Sequence, residues 1–328
     1  MAAFASITTL RDEIYNNGRV RHILRWLDAM AHPPLAIEIS RERIAAVRWT
    51  RKGTIEDIAV EPVPSGAIVP SLVETNLADG AAVRTALASV CSRLHAKDEE
   101  VAVLLPDPVI RVFVQKFEEF PRATSEALAL LRWKLRKSVP FDGGEMWMSY
   151  MKKPARGGGL NVAAALARLR IVREYEELVK SVDLHAGIIM SSSLAAVALL
   201  EESSPALLAR ISDGMLTITV VRDGELCVYR CTELPAQRAE LTPQMLLDEI
   251  FPVAAYFQDV WKEGIHSLRL GGLGGRLPEF VTTLQNEFHC KVQSPFEAAM
   301  AEKRIPVEAR PLVEQELEGL LGWMMNRV

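Results

Sequence analysis

Cysteine is sparse in this 328-residue chain, and Cys91, Cys227, Cys231 and Cys290 share no spacing that builds a disulfide framework or a four-thiolate zinc site. Cys227 and Cys231 fall in a strand-like run, where such pairs are core or edge residues. The six histidines (22, 32, 95, 185, 266, 289) show no metal-ligand spacing, so no metal is expected. No apolar run reaches the roughly 20 residues that cross a bilayer. Arg11, Asp12 and Glu13 break any secretory hydrophobic region early, which points to the cytoplasm. Charge of one sign is also lacking: the net value of -4 gives no reason to expect nucleic acid as a partner. G-x-S-x-G is missing, which removes the usual nucleophile elbow, and Ser191–Ser193 read as strand-end and helix-cap residues. What is present is a globular composition, 49% hydrophobic and 24% charged, with length for one two-lobed domain or two small ones.

Residues 1–33 stand apart as an N-terminal extension. Ile23, Leu24, Trp26, Leu27 and Met30 give residues 20–30 an amphipathic helical pattern, ended by Pro33-Pro34. That helix would pack on the body; an anionic membrane surface is the alternative for its small basic face. From residue 35 strands and helices alternate. Residues 35–40, 43–50 and 54–61 read as strands, the last two joined at Lys52-Gly53. Asp79 is placed to cap a helix over 79–94, whose Val83, Leu87, Val90 and Leu94 form one stripe. Strands follow at 100–106 and 109–117, then a helix over 125–137 stopped by Pro140. Strands at 145–151 and 160–167 flank Gly157–Gly159, and a helix over 171–183 leads to a strand at 186–192 and a helix from Ser193. The second half repeats the theme. Residues 206–231 form a three-strand meander with turns at Asp213-Gly214 and Asp223-Gly224. A long helix over 243–262 precedes the strand, glycine-rich turn and helix start of 265–280, where Pro278 suits a first helical turn. A strand at Cys290–Pro295 and one final helix through 312–325 complete the chain. The expected fold is a duplicated α/β layout with a ligand site between its halves.

Three segments carry a resemblance to a known family. "EALALLRWKLRKSVPFDGGEMWMSY" (126–150) has a helix with a central Trp, a Pro-Phe stop, an acidic residue and an aromatic-bearing strand. "LPDPVIRVFVQKFEEFP" (105–121) leads into it, and "LRLGGLGGRLPEF" (268–280) matches a second-half glycine motif. In this order, over residues 35–328, they resemble the PilM family of the actin-like ATPase superfamily, related to FtsA and to the cytoplasmic domain of GspL. The resemblance implies an actin-like, ribonuclease-H-like duplicated fold. Its first lobe would span 34–190 with a small inserted subdomain at about 104–186. The second lobe would span 191–310, and a C-terminal helix (311–328) would pack on the first. It also implies a cleft between insert and lobe that receives the N-terminal cytoplasmic peptide of a PilN-like membrane protein. Other pilus components would be further partners, and the protein would lie peripheral to the inner membrane.

An actin-like site binds ATP with a tight turn and a carboxylate in each half and a glycine-rich turn for the adenosine. Glycine lets backbone approach an anion without a Cβ in the way. Against the form I-G-I-D-I-G-x-x-x-V-K, Glu38 stands at the Asp, Ser40 at the Gly and Ala45 at the Lys. Ser40 in a left-handed turn would cost about 1 kcal/mol. Against V-D-I-G, Arg210 replaces the metal-binding Asp and Ser212 the Gly, with Asp213-Gly214 one step later as a shifted copy. Arg210 should repel Mg²⁺, though it could meet phosphate directly. Gly271, Gly272, Gly274 and Gly275 survive. The expectation is a degenerate nucleotide site, no ATP or Mg²⁺ cofactor and no hydrolysis. Trp133, Phe141, Trp147 and Tyr150 are candidates for the partner-peptide cleft, with the insert's own core as their bland alternative. Leu317, Leu320, Leu321, Trp323 and Met324 could make a membrane tether like that of FtsA, but core packing is the expectation. The competing functions are an active ATPase or kinase of this fold, and a GspL-like secretion role; GspL continues into a transmembrane helix, which favours PilM.

Overall fold

The computed structural model describes residues 33–325, apart from 51–53, 156, 201–203, 302–304 and 306. The helix expected at 20–30 and the Lys52-Gly53 turn lie outside the described residues. Strand β1 (Leu35–Ile39) is buried at every position, as a central strand covered on both faces must be. It pairs antiparallel with β2 (Arg43–Trp49), which pairs antiparallel with β3 (Ile55–Pro62). Helix α1 (Gly80–Arg93) follows, capped by the Asp79 side chain, which accepts from the Ala82 N–H at 3.0 Å. It returns the chain to β4 (Glu100–Leu105), parallel to β1. After β4 come β5 (Arg111–Phe117), α2 (Thr124–Leu135), β6 (Met146–Pro154), β7 (Leu160–Arg168) and α3 (Leu169–Lys180). Then β8 (His185–Ser191) adds to the other side of β4. The first sheet thus has the order β3-β2-β1-β4-β8.

A short helix α4 (Ser192–Ala196) crosses to the second half. There β9 (Ala206–Ser212), β10 (Met215–Arg222) and β11 (Glu225–Glu233) form the meander, joined at Asp213-Gly214 and Asp223-Gly224. All four turn residues are left-handed, which explains why glycine and aspartate occupy them. Helix α5 (Pro243–Trp261), β12 (Ser267–Gly271), α6 (Leu277–Phe288) and β13 (Lys291–Gln293) complete a sheet of order β11-β10-β9-β12-β13. In both sheets the first two pairings are antiparallel and the last two parallel, with a helix before each parallel addition. The two halves therefore repeat one plan, as an actin-like two-lobed α/β fold requires.

The end of the chain departs from expectation. Helix α7 (Pro295–Ala301) was not foreseen, and the single final helix is two, α8 (Arg310–Glu314) and α9 (Glu318–Met325). Glu316 breaks them by entering the left-handed region at φ 52°. The kink lets α9 lie in the first-lobe core, where Leu320, Leu321, Trp323 and Met324 are buried. Gly319 and Gly322 permit the approach: a Cβ on Gly322 would overlap the Ala195 carbonyl of α4. Among the described residues no helix is long and apolar enough to cross a membrane.

β5, β7 and β6 form a separate three-stranded sheet in that order. Alternation divides its side chains between two layers. Phe117, Met146, Val162, Ala164 and Leu166 pack under α2, which contributes Ala127, Leu131 and Leu135. Ala163, Ala165, Ala167 and Val112 pack instead with the first-lobe core, small residues allowing the sheet to sit close.

Candidate functional site

The β1–β2 and β9–β10 turns approach each other across the lobes. They border a cavity of about 650 Å³ lined by Arg41, Arg43, Asp213, Gly214, Arg238 and Glu316, among others. Ser40 is not left-handed, so the expected backbone cost does not arise. Its hydroxyl instead closes the turn, donating to the Arg43 carbonyl at 2.8 Å. Asp213 takes the left-handed position, φ 55°, and accepts the Arg41 N–H at 2.5 Å and the Ser212 hydroxyl at 2.9 Å. Burial pushes the Asp213 carboxyl up, opposed by those two donors and by Arg210. Asp213 therefore joins the two turns directly.

The cavity wall includes a largely buried ionic cluster, to which Glu38, Arg210 and Glu318 belong. Arg210, on β9, donates from Nη2 to Glu38 Oε1 at 3.0 Å and from Nε to Glu318 Oε2 at 3.3 Å. Its Nη1 donates to Ser193 Oγ at 3.2 Å, and Ser193 Oγ donates to Asp107 Oδ2 at 2.5 Å. Thr217 donates to the same Asp107 oxygen at 2.7 Å. Ser192 donates to Glu38 Oε1, and the Gly272 N–H donates to Glu318 Oε1 at 3.1 Å. Burial opposes the charge on Arg210, but Glu318, Glu38 and Asp107 outweigh it and raise the guanidinium pKa further. Burial raises the Glu318 carboxyl pKa, with Arg210 holding it down in part. The cluster ties both first strands to α4 and α9.

These contacts decide whether the site suits a Mg²⁺–nucleotide. Magnesium needs oxygen ligands in near-octahedral array. The carboxylate oxygens facing the lobe junction already accept from Arg210, Ser192 and Gly272. Glu38 Oε2 finds no hydrogen-bond partner among the described residues, but a Cβ on Gly319 would stand 3.0 Å from it, so α9 backbone closes that side. Among the described residues no group of three or more His, Cys, Asp or Glu is arranged to hold a metal. The residues as arranged do not fit the metal: the carboxylates are paired with a guanidinium, a hydroxyl and a backbone N–H. Arg210 lines the cavity but is 3% exposed, and its guanidinium is already committed to Glu38, Glu318 and Ser193.

The glycine turn is partly committed to structure. Gly271 ends β12, and Gly274 and Gly275 open the single helical turn that leads into α6. Gly272, at φ 74°, packs so closely that a Cβ would overlap the Ile211 carbonyl. Gly272→Ala should therefore lose roughly 2 kcal/mol of stability in a urea melt, strain and overlap combined. A variant as stable as the parent would mean the loop adjusts freely.

The four aromatics expected to share a cleft do not share one surface. Tyr150 and Phe141 pack with the insert's own core, where Tyr150 meets Phe120 edge-on at 5.5 Å. Trp147 lies on the opposite face of β6, half-buried against the first-lobe core. Trp133 stands on the outside of α2, 64% exposed. Period-two alternation along β6 is the reason: residues 147 and 150 cannot face the same way. Beside Trp147's strand, Arg168 donates to Glu145 at 2.6 Å and to the Val73 carbonyl at 2.9 Å, clasping the 69–77 loop to the insert. Glu318, Asp107, Ser192 and Ser193 were not singled out as ligands of this cluster. The available sign was Glu318 itself, an acid in the apolar run "LEGLLGWMM", directly before the close-packing Gly319.

No family model and no curated protein matches the chain. Solved structures do resemble it. A chain of the "PilM-PilN type IV pilus biogenesis complex" superposes with a TM-score of 0.72 at 16% identity, covering 90% of this chain and 98% of that one. The cytoplasmic domain of EpsL, an inner-membrane component of the type II secretion system of Vibrio cholerae, gives 0.45 at 14% identity, covering 73% and 83%. A Bacteroides thetaiotaomicron protein with an actin-like ATPase fold gives 0.48 at 11% identity, covering 82% and 96%. The overall fold is thus shared with that chain of the pilus complex.

Proposed function

We propose that this chain is a non-hydrolysing actin-like scaffold that docks the short cytoplasmic tail of a PilN-like membrane protein. It would act at the cytoplasmic side of the inner membrane in a pilus assembly complex. The observation that carries the first half is the Arg210 guanidinium held between Glu38 and Glu318, which puts a fixed cation where ATP hydrolysis needs a metal. The docking half is supported by the fold shared with that chain of the pilus complex and by the insert's free geometry. β6 is an edge strand, bonded on one side to β7. An extended peptide can add to such an edge, main-chain hydrogen bonds giving affinity and side-chain pockets specificity. Trp147 on β6, half-buried where insert meets lobe, would form one such pocket.

The test uses an immobilised N-terminal tail from a PilN-type protein encoded beside this chain. Intact protein should be retained, and Trp147→Ala should weaken retention at least tenfold without changing the melting temperature by more than a few degrees. Mg-ATP should leave the melting temperature unmoved and release no phosphate. Turnover, or Mg-dependent stabilisation, would overturn the scaffold reading in favour of an ATPase. Absence of tail binding would remove PilN-type docking while leaving the inert cleft intact.

A further inference from the structure

Among the described residues, Trp133 is the one aromatic singled out in the sequence that neither the insert core nor the first-lobe core absorbs. Helix α2 seats Ala127, Leu131 and Leu135 on the insert sheet, which turns Trp133 to solvent at 64% exposure. Its neighbours on the outer face are cations. Arg136 lies three residues on, its guanidinium 5.0 Å from the indole ring and donating to the Trp133 carbonyl at 3.0 Å. Arg132 falls one turn before Arg136, and Lys137 follows in the turn just past the end of α2; all three are exposed. Lys134 leans over Phe117 at the helix flank. Arg132, Arg136 and Lys137 make no ion pair with a described residue. The acid on this helix is Glu126, a turn and a half or more away in the first turn.

We infer that the outer face of α2 is a contact surface for anionic lipid headgroups. An indole is amphipathic and settles at the depth of the headgroups, its ring among glycerol and upper chain and its N–H towards water. Cations around it pair with lipid phosphates, and their aliphatic stems cover the same shallow layer. A protein partner is the poorer fit. A stable protein interface buries about 800 Å² a side around an apolar centre depleted of charge. Here a single indole is encircled by arginine and lysine. The chain as a whole carries -4, so an anionic bilayer repels it on average and binding must come from a local patch. The contact would hold the insert against the membrane on which a PilN-like partner is anchored, yet it does not depend on that partner.

The intact protein is floated with vesicles of phosphatidylglycerol and phosphatidylcholine, and with vesicles of phosphatidylcholine alone. Binding is expected to the first only and should weaken as salt is raised. Each basic residue near such a surface is worth about fivefold in partitioning. The variant carrying Arg132→Glu, Arg136→Glu and Lys137→Glu should therefore bind more than tenfold more weakly, and Trp133→Ala several-fold more weakly with the same salt sensitivity. These side chains are exposed, so melting temperatures should match the parent and guard against a folding artefact. The inference is overturned if the reversed-charge variant floats as well as the parent, because the binding would then reside elsewhere in the chain. It is overturned equally if both vesicle types bind alike or neither binds. Capture by poly-glutamate without vesicle binding would assign the patch to an acidic protein instead. Tail retention on the immobilised peptide is unaffected by any of these results, so the two readings fail separately.

Discussion

Arg210→Met is expected to destabilise the protein by about 3–5 kcal/mol, because it removes the counter-charge from a buried cluster and leaves the carboxylates behind. Glu38 and Glu318 bond the guanidinium directly, and Asp107 reaches it through Ser193. Glu38 and Glu318 line the cavity yet are only 5% and 2% exposed, and Asp107 is 3% exposed, so all three are shielded from bulk water. Neutralising the acids as well should restore most of the loss. Arg210→Met combined with Glu38→Gln and Glu318→Gln would approach the parent, since a buried ion pair and a well-packed neutral replacement differ little. A triple variant as unstable as the single one would defeat this account.

The pH dependence has a defined sign. Burial raises the Glu318 carboxyl pKa in the folded chain, against the opposing pull of Arg210. A raised carboxyl means that the folded state holds its proton more firmly than the unfolded state. Stability then falls as pH rises from the ordinary carboxylate range to the raised value, and the penalty is complete above it. Removing Arg210 removes the pull and extends that interval upward. Urea melts of Arg210→Met should accordingly show a smaller deficit near about pH 5 than near about pH 8. A deficit independent of pH would mean that lost packing, not stranded charge, is responsible.

Trp323→Ala should cost a similar 3–5 kcal/mol, the range for emptying a fully buried tryptophan site. The indole is completely enclosed and belongs to the first-lobe core together with Leu320 and Leu321 of the same helix. The cavity cannot collapse easily, since the α9 backbone already touches α4 at Gly322. Equilibrium unfolding in urea measures the effect. Because α9 also supplies Glu318, the variant should loosen the lobe junction too, visible as faster amide exchange at Gly272, whose N–H bonds Glu318. A surface-bound tether would behave differently: its tryptophan could be truncated at little cost to the fold.

Local chemistry made much of the architecture readable. The second-half strand meander was visible through Asp-Gly turns that require left-handed backbone, and Asp79 marked the start of α1 by its capping side chain. Alternation and helical stripes located the remaining main elements because each element must bury one face. The presence of a cation, Arg210, in the first strand of the second half was likewise evident from the sequence. Its consequence was not. The sequence permitted Arg210 to meet a phosphate, whereas the folded chain surrounds it with carboxylates that lie 172 and 108 residues away.

The amino-acid sequence by itself determined the duplicated α/β plan, through local periodicity and turn chemistry, and placed Glu38 and Arg210 in the first strand of each half. Only the tertiary structure decided how those two charges meet. Glu316 bends the chain, α9 enters the core, and Glu318 arrives beside Arg210 opposite Glu38. It also parted Trp133 from Trp147 and Tyr150, which had been grouped as candidates for one partner-peptide cleft. The reason is physical: spacing along a chain governs which face of one element a side chain occupies, whereas the partners of a buried charge come from wherever distant elements pack together.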